Sequence, residues 1–289
     1  MKRILTFMVA LLCACMVAQA HQTVNKSKKN VRKSELRIAT FNLRMDTPKD
    51  GVNAWPNRKE MVKDLIRFYD FDIFGTQEAF KHMLDDIKTD AYAYIGRGRD
   101  DGKEGGEHSA IFYKPSRFDL LEHGDFWYSQ TPDRPGLGWD AVCNRICTWG
   151  KFRDKKNGKV FFVFNSHFDH QGVVARRESA KLLMTKIKSI ASGFPVFATG
   201  DYNAVEENEP MQVILKDGLL ADAYHLTKEK PYGTTGTFNN FNLNAEMKMR
   251  IDHIFVTKDI RIKKYGVLND MQYGRFPSDH FPVMVVAKF

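Results

Sequence analysis

The sequence predicts one mixed-sheet α/β domain over residues 36–289, and three observations carry that expectation. Runs of strand character alternate irregularly with amphipathic helical runs, which fits neither an all-β nor an all-α chain. Asn157-Gly158 lies between two strand-like runs, the signal of a tight hairpin and therefore of antiparallel neighbours. The clearest helix, Ala175–Ala191, carries Leu182, Leu183, Ile187 and Ile190 on one stripe and separates two further strands, as a crossover does. Hairpins and crossovers in one chain imply a mixed sheet, not a regularly wound parallel one.

The elements follow in order. Leu36–Leu43 alternates as a strand, and Pro56–Tyr69 places Met61, Leu65, Ile66 and Phe68 at helical spacing with Pro56 in the first turn. Phe71–Thr76 is a short apolar strand running into Gln77-Glu78, and Phe80–Thr89 reads as a second helix. Strands are expected at His108–Lys114, Phe118–His123, Ala141–Arg153 and Val160–Phe168. After the long helix come a strand at Val196–Thr199, a helix at Pro210–Lys216, and strands at Ile251–Thr257, Ile260–Gly266 and Phe281–Phe289. Neither an internal repeat nor a low-complexity linker occurs after residue 35.

The first 35 residues do not belong to this pattern. Met1-Lys2-Arg3 is a basic start, Ile4–Val17 an apolar stretch, and Ala18-Gln19-Ala20 a small-x-small cleavage site, so residues 1–20 read as an export signal. Leu12-Cys13-Ala14-Cys15 also fits a lipobox with Cys15 as the lipidated residue, but Met16–Ala20 continues toward a signal-peptidase site, which favours simple export to the periplasm or medium. The apolar run is too short for a comfortable membrane span. Of the formal +9 charge, Lys2 and Arg3 lie in the signal. Five cations against Glu35 lie in a polar leader, 21–35, leaving only +3 on the domain. That weakens long polyanions as substrates without removing them. Cys143 and Cys147 would sit roughly 13 Å apart on one strand, too far for a disulfide, and read as small buried residues.

Several strands end on a polar group. Asn42 closes the first and Glu78 follows the second; His167, Asp169 and His170 close the 160s strand. The run FPVFATGDYNA ends in Asp201 and Asn203, Asp252 opens a later strand, and Asp279-His280 precedes the last. Each has a local explanation: Gly200-Asp201-Tyr202-Asn203 is turn chemistry, Glu78 suits a helix start, and Asp252 has Arg250 or Lys248 as neighbours. So many strand termini doing this together point to a site on loops held by a rigid scaffold. Carboxylate and amide oxygens suit hard cations, magnesium, manganese or calcium, and histidines suit phosphate. The combination is that of metal-assisted phosphate-ester hydrolysis. No Walker loop and no G-x-S-x-G elbow is present.

The ordered set TFN (40–42), TQE (76–78), NSHFDH (165–170), GDYN (200–203), RIDHIFV (250–256) and SDHFPV (278–283) resembles the endonuclease/exonuclease/phosphatase superfamily across residues 36–289. The resemblance implies a four-layer α/β sandwich, two mixed β-sheets face to face with helices on the outer faces, and a site at one edge. It implies Glu78 as principal metal ligand with Asn42 and Asp279 near the same or a second ion, Mg2+ or Mn2+ with Ca2+ as an option. Asp201 would activate the attacking water, and Asn203 would hold water and phosphate. His280, oriented by Asp252, would contact the phosphate, with His167 on its opposite side. Arg44 departs from the apurinic endonucleases, which carry an acidic residue there. Arg44, His108, Arg145, His170 and Arg176 are candidate substrate contacts. The expected protein is an exported, monomeric, metal-dependent hydrolase of phosphate esters. A nuclease or phosphodiesterase of deadenylase-like (3'-5' exonuclease) type stands against a phosphomonoesterase acting on sugar, inositol or lipid-headgroup phosphates. A catalytically silent binding module on the same fold is the third reading.

Overall fold

The computed structural model describes residues 35–288; the expected export signal, and the leader up to Ser34, lie outside the described residues. In chain order the strands are β1 (Leu36–Asn42), β2 (Ile73–Gln77), β3 (Ala93–Ile95), β4 (Ile111–Tyr113), β5 (Phe118–Trp127), β6 (Ile146–Asp154), β7 (Val160–His167), β8 (Val196–Asp201), β9 (Leu220–Asp222), β10 (Asp252–Thr257), β11 (Arg261–Val267) and β12 (Val283–Lys288). The α-helices are α1 (Trp55–Tyr69), α2 (Lys81–Ile87), α3 (Val173–Ile190), α4 (Glu209–Lys216) and α5 (Ala223–Leu226).

Two six-stranded sheets run β11-β12-β1-β2-β4-β3 and β5-β6-β7-β8-β10-β9. Each holds one parallel pair joined through a helix, β1 with β2 across α1 and β7 with β8 across α3; the remaining pairs are antiparallel. Strand period assigns the faces. On β1, Leu36 and Ile38 face the opposite sheet, where they meet Phe161, Val163, Phe197 and Ile254, while Ala39 and Phe41 face α1 and α2. On β8, Phe197 points inward, whereas Val196, Ala198 and the following Tyr202 pack under α3 and α4. The result is helix, sheet, sheet, helix: the four-layer sandwich that the resemblance implies.

Several expected boundaries move. The strand expected from Ala141 begins only at Ile146, so Cys143 lies in an irregular segment and only Cys147 is a buried strand residue. Continuation of the β6–β7 ladder stops there because Asp169 accepts the Val142 N–H in place of a strand partner. The strand expected at His108–Lys114 shortens to β4, with His108 left as an isolated bridge to Ala79 and Gly98. The Asn157-Gly158 turn does join β6 to β7 in antiparallel register.

Candidate active site

Parallel β1, β2, β7 and β8 end at the same edge of the sandwich at which antiparallel β10 and β12 begin. Period two then decides which residues meet. Thr40 and Asn42, Thr199 and Asp201, and Asp252 share the inward phase of Ile38, Phe197 and Ile254, so the last inward positions of β1 and β8 and the first of β10 fall at one end of the space between the sheets. Beneath it lies a polar seam. Asn165 donates to the Thr76 and Ala110 carbonyls at 2.9 and 3.0 Å, while its oxygen accepts from Gln77 at 2.7 Å and Thr199 at 3.1 Å. Gly75 makes room for this, since a Cβ there would stand 2.2 Å from Asn165 Oδ1.

Above the seam is a cavity of 490 Å³ whose lining includes Arg44, Glu78, Glu107, Arg145, His167, Asp201, Asn203, Asp279 and His280. Asn42 lies just below, its amide donating to Glu78 Oε1 at 3.0 Å and to Asp201 Oδ2 at 2.9 Å, which ties the two sheets' carboxylates together. His280 Nδ1 donates to Asp252 Oδ2 at 2.8 Å, and its Nε2 faces Asp201 Oδ2 at 3.8 Å. His167 Nε2 faces the same oxygen at 3.6 Å from the other side. The Asn203 amide donates to the Phe168 carbonyl at 3.0 Å and to His167 Nε2 at 3.2 Å, so the proton of a neutral His167 sits on Nδ1, toward Glu107 Oε2 at 3.8 Å. Glu78 and Asn203 each adopt a left-handed backbone, φ 62° and 48°, directly after their strands; such strain concentrates at functional sites.

The electrostatics divide the groups. Burial raises the Asp201 carboxyl, Asp252 raises it further, and it titrates at about 7. Burial also opposes charge on His280, but Asp252 and Asp201 outweigh it and hold the imidazole well above its usual range. Burial, with Arg145 and Arg99 nearby, drives His167 well below. For Glu78, burial is overcome by Asn42, His280, the Met45 N–H and Arg44, which hold it below the usual carboxylate value. Asp279 is pushed upward, chiefly by burial. One end of the cavity thus holds a low, ionised carboxylate, a base near neutrality, and one cationic and one neutral imidazole. That is the partition that acid–base chemistry requires.

The donor set fits a hard divalent cation. Glu78 and Asp279 face the Arg44 guanidinium at 3.9 and 3.8 Å, while Asp50 holds that guanidinium at 2.9 and 3.0 Å, and Asp252 Oδ1 is buried without a partner. Ligand atoms of Glu78, His167 and Asp201 lie within 4.8 Å of one another. As arranged, Asn42 offers the carboxylates its N–H2, while its oxygen accepts the Arg44 N–H at 2.9 Å.

Among the expected substrate contacts, Arg44, Arg145 and His170 line the cavity. His108 and Arg176 do not. His108 is buried with Nδ1 3.3 Å from the Ala79 carbonyl, and Arg176 donates to the Asp169 carbonyl at 2.9 Å from the first turn of α3. Asp252 pairs with His280 and not with Arg250, which binds Asp222 and Glu206, each at 2.6 Å. Besides the lining residues Phe238, Asn240, Met249 and Ile251, two charged cavity residues were missed, Arg99 and Glu107, paired at 2.6 Å. They face each other across the ends of a small loop, with Arg99 N–H donating to the Glu107 carbonyl at 2.9 Å. In sequence they sit in a Gly/Asp/Glu-rich run that reads as solvated loop; only a charged pair flanking a tight turn signalled otherwise.

Comparisons with known proteins agree with this geometry. Residues 39–280 match the Endonuclease/Exonuclease/phosphatase family. The structure is similar to a protein of that family from Bacteroides thetaiotaomicron, at 45% identity and a TM-score of 0.86, covering 89% of this chain and 98% of the other. It is similar also to a mannosyl-6-phosphatase from the same organism, at 45% identity and a TM-score of 0.84, covering 88% and 100%. A CCR4-Not complex 3'-5'-exoribonuclease subunit, Ccr4 of Emericella nidulans, is 21% identical over 82% of this chain and 48% of its own length, so the chain spans about half of that relative.

Proposed function

The chain belongs to the endonuclease/exonuclease/phosphatase family, and from that premise we propose that it is a phosphomonoesterase acting on sugar phosphates. The observation that carries this reading is the cavity itself: 490 Å³, with the acid and histidine groups at one end, a size suited to one small ligand. The likeness at 45% identity to a mannosyl-6-phosphatase supports the same choice, as does the small net charge of the domain. Within the family, this favours the sugar-phosphate reading over the deadenylase-like one.

In this reading Glu78, with Asp279 beside it, would hold a divalent cation, Mg2+ or Mn2+, and Asn42 would steady the Glu78 carboxylate through its N–H2. Such an ion would supply charge neutralisation during phosphoryl transfer. Asp201, near neutrality and flanked by both histidines, takes the proton of the attacking water. Protonated His280, fixed by Asp252, donates to a phosphate oxygen and stabilises the charge that develops there. The Asn203 amide and His167 orient water and phosphate from the other side. We also propose export, on the basic start, apolar stretch and Ala18-Gln19-Ala20 site of residues 1–20; cell fractionation with N-terminal sequencing of the mature chain tests it, and a cytoplasmic chain retaining Met1 would contradict it.

Monoester against diester turnover tests the assignment. With Mg2+ or Mn2+, kcat/KM for a hexose 6-phosphate should exceed that for bis(p-nitrophenyl) phosphate. A preference for the diester would overturn the phosphomonoesterase reading.

A further inference from the structure

The catalytic cavity has two chemically different walls. One carries Arg99, Arg145 and His170. The other gathers Phe238 and Met249 of a single loop, Thr237–Met249, and Ile251, the residue before β10, with Asn240 among them; Met249 is 49% exposed, and Met45 and Val142 add apolar lining from elsewhere. Ile251 is largely buried and Phe238 half-buried, so the open apolar surface of this wall is that of Met249 with the edge of Phe238. Apolar surface left open on such a cavity implies an apolar partner that comes and goes.

The loop is built to hold that wall still. Thr237 Oγ1 accepts the N–H groups of Ile251 and Asp252, each at 3.1 Å, and the Thr237 carbonyl accepts the Phe281 N–H at 2.7 Å. Asn239 and Asn240 N–H groups both donate to the Asp279 carbonyl, at 2.8 and 3.1 Å. The Asn239 amide donates to the Ser278 carbonyl at 3.1 Å. The loop is thereby fastened to the same strand ends that carry Asp252, Asp279 and His280. Asn240, Phe241 and Met247 take left-handed backbone angles, φ 52°, 54° and 51°, which is a genuine departure for Phe and Met. Strain of this kind persists only where surrounding structure enforces it, and it marks ligand clamps. Phe238 packs edge-on against His280, ring centroids 5.0 Å apart, so the apolar wall begins where the phosphate is held.

We propose that this loop selects the alcohol half of the substrate: Phe238, Met249 and Ile251 pack the carbon–hydrogen face of a sugar ring, and Asn240 hydrogen-bonds its hydroxyl edge. A pyranose presents both features at once, an apolar face and a polar rim, and joins its phosphate closely enough for both halves to fit one cavity of this size. The proposal rests on the phosphomonoesterase reading and adds which residues set its specificity.

The test uses the full chain with Mg2+ and two substrates, mannose 6-phosphate and glycerol 3-phosphate, which has no ring. In Met249→Ala and Phe238→Leu the ratio of kcat/KM for the hexose to that for the glycerol ester should fall roughly 10-fold, mainly through KM, as expected for one apolar contact in a pocket. Asn240→Ala should lower the same ratio. A purely structural role would lower both substrates together. Met249 is exposed, so its variant keeps the test decisive if Phe238→Leu does not fold. If the wild-type chain hydrolyses both esters and the ratio is unmoved in the variants, the loop assignment fails alone. Should the wild-type chain hydrolyse neither monoester, the parent reading fails with it.

Discussion

Asp201 is held in conflict: it is buried, faces Asp252, and accepts N–H bonds from Asn42 and Asn203. Replacing it with Ala removes the group proposed to take the water's proton, and kcat should fall about 100- to 10,000-fold at saturating metal in steady-state assays. The pH dependence follows from sign. In the metal-free fold Asp201 titrates at about 7, and Glu107, raised chiefly by burial, does likewise. Between about pH 4 and 7 the folded chain keeps protons that the unfolded chain releases, so metal-free stability declines as pH rises through that window. A cation held at Glu78, whose ligand atoms lie within 4.8 Å of those of Asp201, relieves the penalty. The rise in melting temperature on adding Mg2+ should therefore be larger at pH 8 than at pH 5.5; an equal or smaller rise at pH 8 would count against a cation held within reach of Asp201. His280 gives a complementary test. Its proton is held mainly by Asp252, against burial, so Asp252→Asn should move the alkaline limb of the kcat/KM profile to lower pH and reduce kcat about 100-fold.

At the scale of elements, the seam under the cavity sets how accurately the strand ends meet. Gly75→Ala would drive a Cβ into Asn165 and separate it from Gln77, at a cost of about 1–3 kcal/mol by thermal or urea unfolding, with lost activity in what remains folded. Most strands were legible because their inward positions are apolar except at one end, where Asn42 and Asp201 close β1 and β8 and Asp252 opens β10; a polar residue at the end of an apolar period is a signal in itself. Three-residue β3 and β9 were not legible, since three residues cannot establish a period. The segment before β6 misled for another reason. Ala141–Arg145 has strand composition, but Asp169, far along the chain, accepts the Val142 N–H and takes Arg145 Nε at 3.4 Å. Glu107 and Arg99 left only a faint signal, a charged pair flanking a Gly-rich loop, because their pairing depends on how that loop folds back, which local composition does not encode.

Across the whole molecule, the two sheets do one task together: each supplies part of a site that neither holds alone. Asn42, Glu78, Asp279 and His280 come with the β1/β2/β12 sheet, and His167, Asp201, Asn203 and Asp252 with the other. The ordered motifs named these residues in advance, but not which sheet carries each, since strand order depends on pairing between distant segments. Substrate choice was not legible either, because it lies in cavity shape and in the Thr237–Met249 loop, where no motif is fixed. Phosphate release from mannose 6-phosphate, set against shortening of a single-stranded oligoribonucleotide by the same preparation, tests the central claim most directly. The account predicts Mg2+- or Mn2+-dependent release from the sugar phosphate, abolished by chelator and by Asp201→Ala, with little or no oligonucleotide cleavage. Efficient cleavage of the oligonucleotide with an inert sugar phosphate would contradict it.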